Sequence, residues 1–164
     1  MKHTMLVVGL GNIFLGDDGF GVEVIKRLVT CDLPDWVRVA DFGIRGMDLL
    51  YDISDQDYDR VILVDTAVRS GAPGDLYLIE FDINGSTEIG SGTPDALAMT
   101  PDMVSRFLRD FGCTSERVLL VGCEPGRLEE EVGLSKPVTQ AVKVATTFIV
   151  DLIQRVSGAS VAVA

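Results

Sequence analysis

Histidine is almost missing from this sequence, since His3 is the only one among its 164 residues. This excludes the His-x-x-x-His pattern of zinc hydrolases, and a histidine-based catalytic triad would have to use His3. Because His3 stands at the start of the first apolar run, far from its carboxyl end, we expect an exposed terminal residue there. Cysteine is scarce too: the three cysteines, an odd number at wide spacing, form no disulfide framework and predict a reducing, cytoplasmic location.

Positive charge is also in short supply. The chain carries 14 Lys and Arg residues against 25 Asp and Glu residues, which gives a formal net charge of −11. Nucleic acids and anionic membranes require clustered basic side chains, so neither is expected as the main partner. The longest early apolar run, Met5–Leu10, is too short to cross a bilayer and has no signal-peptide cleavage pattern. We therefore predict no membrane insertion and no targeting segment.

What is present is an ordinary globular composition, 47% hydrophobic and 24% charged, at a length typical of one domain. We assign residues 1–157 to a single α/β domain and residues 158–164 to a frayed tail. Runs rich in Val, Leu and Ile are typical of strands buried on both faces. Five such runs are predicted to be strands: Met5–Gly9, Val37–Asp41, Arg60–Asp65, Asp75–Phe81 and Arg117–Gly122. Helical patterns cover about Asp18–Thr30, Met47–Ile53, Thr100–Phe111 and Pro137–Val156. This alternation predicts a mostly parallel sheet of about five strands, flanked by helices on both sides.

Small or acidic residues end three of the predicted strands, in the segments Gly9–Asn12, Asp41–Gly43 and Asp65–Ala67. Parallel sheets bind their ligands at the carboxyl ends of the strands, and these three ends should meet along one edge. Asp65 follows a fully apolar strand and is equally consistent with a turn residue and with a ligand at this edge.

The glycine-rich segment after the first strand does not fit a phosphate loop. The dinucleotide fingerprint G-x-G-x-x-G would need a third glycine where Phe14 stands. The spacing Gly11–Gly16 matches a Walker A loop, but Asp17 and Asp18 follow where Lys and Ser or Thr are required. At ~4 Å and an effective dielectric constant of ~20, each like-charge pair with a phosphate costs about 4 kcal/mol. We therefore expect no nucleotide cofactor.

Asp17 and Asp18 have two possible roles. They cap the helix that follows and oppose its dipole, or, since one aspartate suffices as a cap, they help to bind a cation. Asp18 and Asp65 would then be two oxygen ligands from adjacent strand ends. Carboxylates alone suit hard cations, whereas nickel or zinc normally takes imidazole or thiolate as well.

The segment Gly11–Val22 resembles the signature of the [NiFe]-hydrogenase maturation endopeptidases. The resemblance continues in the same order along the chain through Asp41–Leu50, Leu63–Ala67, Leu120–Pro125 and Val132–Ser135. It implies a three-layer α/β sandwich and a processing activity. Such enzymes remove a short C-terminal extension from the hydrogenase large-subunit precursor once nickel has been inserted, so the nickel is carried by the substrate.

The resemblance also implies roles for individual residues. Asp18 and Asp65 match two acidic residues on which the precursor's nickel docks. Asp41 matches an aspartate linked to substrate selection. Independently of the resemblance, we assign Gly43 and Gly46 to substrate recognition and expect the loop between them to supply an oxyanion donor.

The third nickel ligand is where this sequence departs from the family. The family commonly has a histidine where Leu97 stands, and leucine has no lone pair to donate. Three consequences are open: Asp95 serves as a hard ligand, the precursor's own cysteines or water complete the metal's coordination, or the chain is a weakened homologue that binds without cleaving. Loss of the imidazole should weaken any contact with nickel.

No conventional pair of nucleophile and base accompanies these acidic residues. Cys123 has no histidine near it in the pattern, so we expect it to pack at a strand end. We predict metal-assisted peptide hydrolysis, in which a cation held by Asp18 and Asp65 fixes the precursor and polarises the scissile carbonyl or a water. The alternatives are an inactive homologue, or a small-molecule hydrolase or nucleotide protein on the same fold.

Overall fold

Five strands and two α-helices make up the described part of the chain, which comprises residues 4–43, 58–81 and 117–162 of this computed structural model. The strands are β1 (Met5–Leu10), β2 (Val37–Gly43), β3 (Arg60–Thr66), β4 (Leu76–Phe81) and β5 (Arg117–Cys123). The helices are α1 (Phe20–Leu28) and α2 (Lys136–Ala162), and a short 3-10 turn, Gly16–Gly19, precedes α1.

The strands form one sheet in the order β2-β1-β3-β5-β4. β1 pairs in parallel with β2 and β3, and β3 pairs in parallel with β5, whereas β4 is an antiparallel edge strand on β5. Parallel neighbours need long crossover connections, which the alternating sequence pattern provides. The predicted mostly parallel α/β class is therefore confirmed, and the predicted strand ends lie within two residues of the observed ones.

Both faces of the sheet carry buried apolar side chains, as successive residues of β1 illustrate. Met5 and Val7 belong to the cluster formed with α1 and α2, whereas Leu6 and Val8 belong to a second cluster on the opposite face. This period of two follows from the pleat of the strand. Burial on both faces explains why the strands are uninterrupted apolar runs rather than alternating patterns.

The two helices in the middle of the predicted pattern, Met47–Ile53 and Thr100–Phe111, lie outside the described residues. Helix α2 spans Lys136–Ala162, so it contains the predicted helix Pro137–Val156 and is longer at both ends. The division of the chain at residue 157 stays a prediction. None of the helices in the described ranges combines the length and the apolarity of a bilayer-spanning segment.

Helix α1 begins later than predicted, at Phe20 instead of Asp18. Asp17 and Asp18 lie in the 3-10 turn, and Gly19 occupies the N-cap position of α1 without a side-chain hydrogen bond. The interpretation of the two aspartates as helix caps is therefore wrong. Their carboxylates have other partners, which define the site.

Two glycines let the loop after β1 and the first turn of α1 lie directly on the strand ends. A Cβ atom at Gly21 would collide with the carbonyl oxygens of Val64 and Leu10. Gly11 has a φ of 113°, and a Cβ atom there would collide with the carbonyl oxygen of Asp18. Such left-handed conformations and close approaches require a residue without a side chain. The close packing brings Asp18 to the end of β3.

Candidate active site

The carboxyl ends of β1, β2 and β3 lie side by side at one edge of the sheet. Gly9 of β1 is in register with Asp41 of β2 on one side and with Val64 of β3 on the other. Asp65, the next residue of β3, is in register with Gly122 of β5. The prediction that these strand ends share an edge is therefore confirmed, and β1 separates Asp41 from Asp65.

Asp18 and Asp65 meet at a shared neighbour, Thr66. The Thr66 hydroxyl donates a hydrogen bond to Oδ1 of Asp18 (3.1 Å), and the Thr66 backbone N–H donates to Oδ1 of Asp65 (2.7 Å). The other oxygen of Asp18, Oδ2, accepts a hydrogen bond from the backbone N–H of Asn12 (2.8 Å). Two acidic side chains from different elements are thus neighbours at the sheet edge.

Asp65 is the more buried member of this pair, with 9% of its surface exposed. Burial raises the pKa of Asp65 well above its usual value, and the charge of Asp18 raises it further, although the N–H and hydroxyl of Thr66 act in the opposite direction. Two adjacent carboxylates with little access to water repel each other unless a proton or a cation neutralises part of their charge. The pair therefore offers two oxygen donors to a cation.

Asp17, directly before Asp18, has a role that the local sequence pattern does not reveal. Its side chain is fully buried and accepts four hydrogen bonds. Oδ2 accepts from the backbone N–H groups of Gly126 and Arg127 and from the Ser135 hydroxyl (2.8 Å each), and Oδ1 accepts from the Ser135 N–H (2.6 Å). Burial alone would raise the pKa of Asp17, but these hydrogen bonds outweigh burial and lower it. Asp17 is thus an internal anchor and not a ligand at the site.

Backbone hydrogen bonds join the same two loops. The Gly16 N–H donates to the carbonyl oxygen of Glu131 (2.7 Å), and the Glu131 N–H donates to the carbonyl oxygen of Phe14 (3.0 Å). Between them, Leu15 and Glu131 form a parallel bridge. The turn that carries Asp18 is therefore held by the loop after β5 as well as by its own chain neighbours.

Another buried carboxylate, Glu124, orders the turn that follows β3. Its side chain, 4% exposed, accepts hydrogen bonds from the backbone N–H groups of Arg69 (2.9 Å) and Gly71 (2.6 Å). Between these donors, Ser70 has a left-handed φ of 62°. That conformation costs a non-glycine residue roughly 1–2 kcal/mol, which the charged hydrogen bonds offset. Glu124 thereby fixes the chain that leaves Asp65 and Thr66.

Cys123 packs in the core at the end of β5. Its side chain is fully buried in the cluster beneath α1 and α2. Burial raises the pKa of the Cys123 thiol to about 12, and the nearby charges of Asp17 and Glu124 add to the shift. Since the thiolate is the reactive form, the predicted packing role of Cys123 is confirmed.

Several residues singled out from the sequence lie outside the described residues: His3, Gly46, Asp95 and Leu97. Gly43 is the last residue of β2, and Asp41 is exposed near the same strand end. In the ranges that the structure describes, no group of three or more His, Cys, Asp or Glu side chains is arranged to hold a metal ion. Within those ranges the candidate site therefore consists of the Asp18–Asp65 pair.

Comparison with known proteins identifies the family. Residues 22–152 match the model of the HycI family, described as hydrogenase maturation protease. The chain is 35% identical over 156 residues to the coenzyme F420 hydrogenase subunit delta of Methanothermobacter thermautotrophicus. This alignment covers 90% of this chain and 92% of the delta subunit. It is 32% identical over 143 residues to the hydrogenase 2 maturation protease of Escherichia coli, in an alignment that covers 86% of this chain and 85% of that protease.

A solved structure agrees with these sequence matches. The fold is similar to that of the hydrogenase maturating endopeptidase HybD from Escherichia coli, with a TM-score of 0.72 and 26% identity over 93% of each chain. The resemblance carried by Gly11–Val22 and the later blocks is thus confirmed over most of the chain. The chain belongs to the hydrogenase maturation protease family and, by that membership, is an endopeptidase.

Proposed function

We propose that this protein removes the C-terminal extension of a [NiFe]-hydrogenase large-subunit precursor after nickel insertion, and that Asp18 and Asp65 recognise the inserted nickel. The observation that carries the proposal is the pairing of these two carboxylates through Thr66 at the carboxyl edge of the sheet. Family membership supports the reaction class, because the relatives are named as hydrogenase maturation proteases.

The nickel in this proposal belongs to the substrate. Two carboxylates alone bind nickel weakly, because nickel prefers nitrogen and sulfur donors as well. The cysteines of the precursor, or water, would supply the remaining donors. A weak contact suits the task, since the mature large subunit keeps its metal when it leaves the enzyme.

The reaction adds one water molecule across the scissile peptide bond, leaving a carboxylate on the mature subunit and an amine on the released peptide. Asp18 and Asp65 fix the nickel, and with it the precursor, at the sheet edge. When bound there, the cation would supply Lewis-acid polarisation of the scissile carbonyl or of the attacking water. Asp41 and Gly43 select the substrate at the neighbouring end of β2, and Gly46 is assigned the same task from the sequence alone.

The test is the mass of the C-terminus of a nickel-loaded, unprocessed large subunit before and after incubation with the protein. The wild type should shorten this substrate and leave a nickel-free precursor intact. Asp18→Ala and Asp65→Ala should each abolish processing, because a single carboxylate no longer holds the nickel in place. Asp59→Ala is the matched control, since Asp59 is an exposed carboxylate at the opposite end of β3. Unchanged cleavage in either site variant would refute the proposal.

A second candidate function is that of a homologue that binds the precursor without cleaving it. The presence of Leu97, where the family commonly has histidine, favours this alternative. The same assay separates the two candidates, since a pure binder forms a complex with the nickel-loaded precursor while its mass stays unchanged.

A further inference from the structure

Two loops at the carboxyl edge expose large apolar side chains next to the Asp18 turn. Ile13 and Phe14, which lie between β1 and that turn, are 37% and 62% exposed. Leu128 and Val132, which lie between β5 and α2, are 46% and 70% exposed. Single exposed apolar residues are common on protein surfaces, but a cluster beside a functional site indicates an interaction surface. We refer to these four residues as the apolar patch.

The apolar patch is one surface because its two loops are bonded to each other. The hydrogen bonds from Gly16 to Glu131 and from Glu131 to Phe14 align the loops as neighbouring strands would be aligned. Ile13 and Val132, one from each loop, also line the same groove of about 830 Å³ between α1 and α2. Through Ile13 and Val132, the patch borders this groove.

Hydrogen bonds order both loops of the apolar patch. Asp17 fixes the second loop through its hydrogen bonds to Gly126, Arg127 and Ser135. In the first loop, the Asn12 side chain accepts a hydrogen bond from the N–H of Phe14 (2.9 Å), while the Asn12 N–H donates to Asp18. An ordered surface loses little conformational entropy on docking, and Asn12 links this surface directly to the candidate nickel ligand.

The charge around the apolar patch limits what can dock there. Glu129, Glu130 and Glu131 form an acidic rim on the second loop, where Arg127 makes an exposed ion pair with Glu131 (3.3 Å). The groove on the other side is lined by basic residues as well: Lys26, Arg27 and Lys143. An anionic membrane surface would be repelled by this acidic rim. A protein surface with an apolar centre edged by basic side chains would be complementary to it.

We propose that the apolar patch docks the folded large-subunit precursor beside its nickel, an inference that rests on the proposed function. The partner surface is apolar at its centre, basic at its edge and adjacent to the metal that Asp18 and Asp65 contact. Patch contacts involve no metal, so they contribute equally to binding of the precursor with and without nickel. The two carboxylates, in contrast, respond to nickel alone.

The experiment measures binding of purified precursor, nickel-loaded and nickel-free, to immobilised full-length protein by biolayer interferometry, alongside the cleavage assay. Phe14→Ser and Val132→Ser should each weaken binding of both precursor forms by about tenfold, as expected for a central apolar contact. Val144→Ser is the matched control, because Val144 is 60% exposed on α2, outside the patch, and should change affinity less than about twofold. Melting temperatures of all variants check that the fold is retained.

The outcomes separate the two proposals. Equal losses for both precursor forms in the patch variants, with an unchanged control, support the docking surface. Patch variants that bind both forms like the wild type overturn it, while nickel-dependent cleavage by the wild type leaves the proposed function intact. A loss confined to the nickel-loaded form also overturns it, because a nickel-independent contact must act on both. A wild type that neither binds nor cleaves the precursor overturns the proposed function and the docking surface together.

Discussion

Thr66 reaches from the end of β3 to the turn before α1, where its hydroxyl donates to Oδ1 of Asp18 at 3.1 Å. Its backbone N–H holds Asp65 at the same time, so one residue orients both carboxylates. Groups that orient metal ligands typically change metal affinity by 10- to 100-fold when they are removed, as a rough guide. We therefore expect the Thr66 hydroxyl to affect how well the two carboxylates bind a metal ion.

Replacing Thr66 tests this relationship. Thr66→Val keeps the shape of the side chain and removes the donor, so we expect affinity for Ni²⁺ alone to fall by about tenfold, measured by isothermal titration calorimetry. Thr66→Ser restores a hydroxyl, so its affinity for Ni²⁺ should stay within about threefold of the wild-type affinity. Such a change is smaller than the roughly 10- to 100-fold loss that follows removal of an orienting group. Equal nickel affinity in the valine and wild-type proteins would show that the hydroxyl does not orient the pair.

Removal of the charge on Asp17 should destabilise the fold. In Asp17→Asn, the amide cannot accept all four hydrogen bonds, so buried N–H groups lose their charged acceptor. We expect the free energy of unfolding to fall by about 2–4 kcal/mol, measured by urea denaturation. Asp75→Asn is the control, since Asp75 is exposed and its Oδ2 accepts a hydrogen bond from Ala72; it should cost less than about 1 kcal/mol.

The stability difference between the wild type and Asp17→Asn should also depend on pH. The pKa of Asp17 is lower in the folded protein than its usual value, so its charge stabilises the fold at pH values above the unfolded pKa. This contribution disappears as the pH falls through the lowered, folded pKa. The difference in unfolding free energy between wild type and Asp17→Asn should therefore be largest near neutral pH and shrink in acid. A difference that is constant from neutral to acidic pH would contradict the role assigned to the charge.

Thiol labelling tests the inert role of Cys123. With a pKa of about 12 and no exposed surface, Cys123 should resist iodoacetamide at pH 8 in the folded protein and react once the protein is unfolded in urea. Cys31, which is partly exposed, is the internal control and should react faster. Mass spectrometry of the peptides locates the label. Rapid labelling of Cys123 in the native state would reopen the question of a cysteine nucleophile.

Leu97 can be tested by restoring the histidine that the family commonly has at this position. Leu97→His adds a nitrogen donor, so we expect tighter binding of Ni²⁺ and faster processing of the nickel-loaded precursor. Leu97→Phe is the control, because it supplies a ring without a nitrogen. If both variants process the precursor at the same rate, residue 97 does not face the nickel.

The sheet could be predicted from the sequence because its signals are local. Strands such as β1 and β3 are buried on both faces, and a continuous apolar run indicates that environment wherever the run occurs. The acidic ends of strands could likewise be placed at one edge, which identified Asp18 and Asp65 as candidates. Parallel pairing sets the ends of β1 and β3 side by side, and the close packing at Gly11 and Gly21 then brings Asp18 to Asp65.

The anchoring carboxylates could not be predicted in the same way. The partners of Asp17 lie up to 118 positions away in the chain, and those of Glu124 lie 53 and 55 positions away. Nothing in the neighbouring residues specifies such partners, and the pair Asp17-Asp18 is equally compatible with a helix cap. The exposed positions Phe14 and Val132 belong to loops whose pairing depends on the same distant contacts.

The bond between Asp17 and Ser135 has a consequence for biosynthesis. Because Asp17 accepts two of its four hydrogen bonds from Ser135, a nascent chain still on the ribosome cannot complete this arrangement until residue 135 has emerged. A chain that stops before residue 135 therefore lacks two of the four hydrogen bonds that hold the turn carrying Asp18.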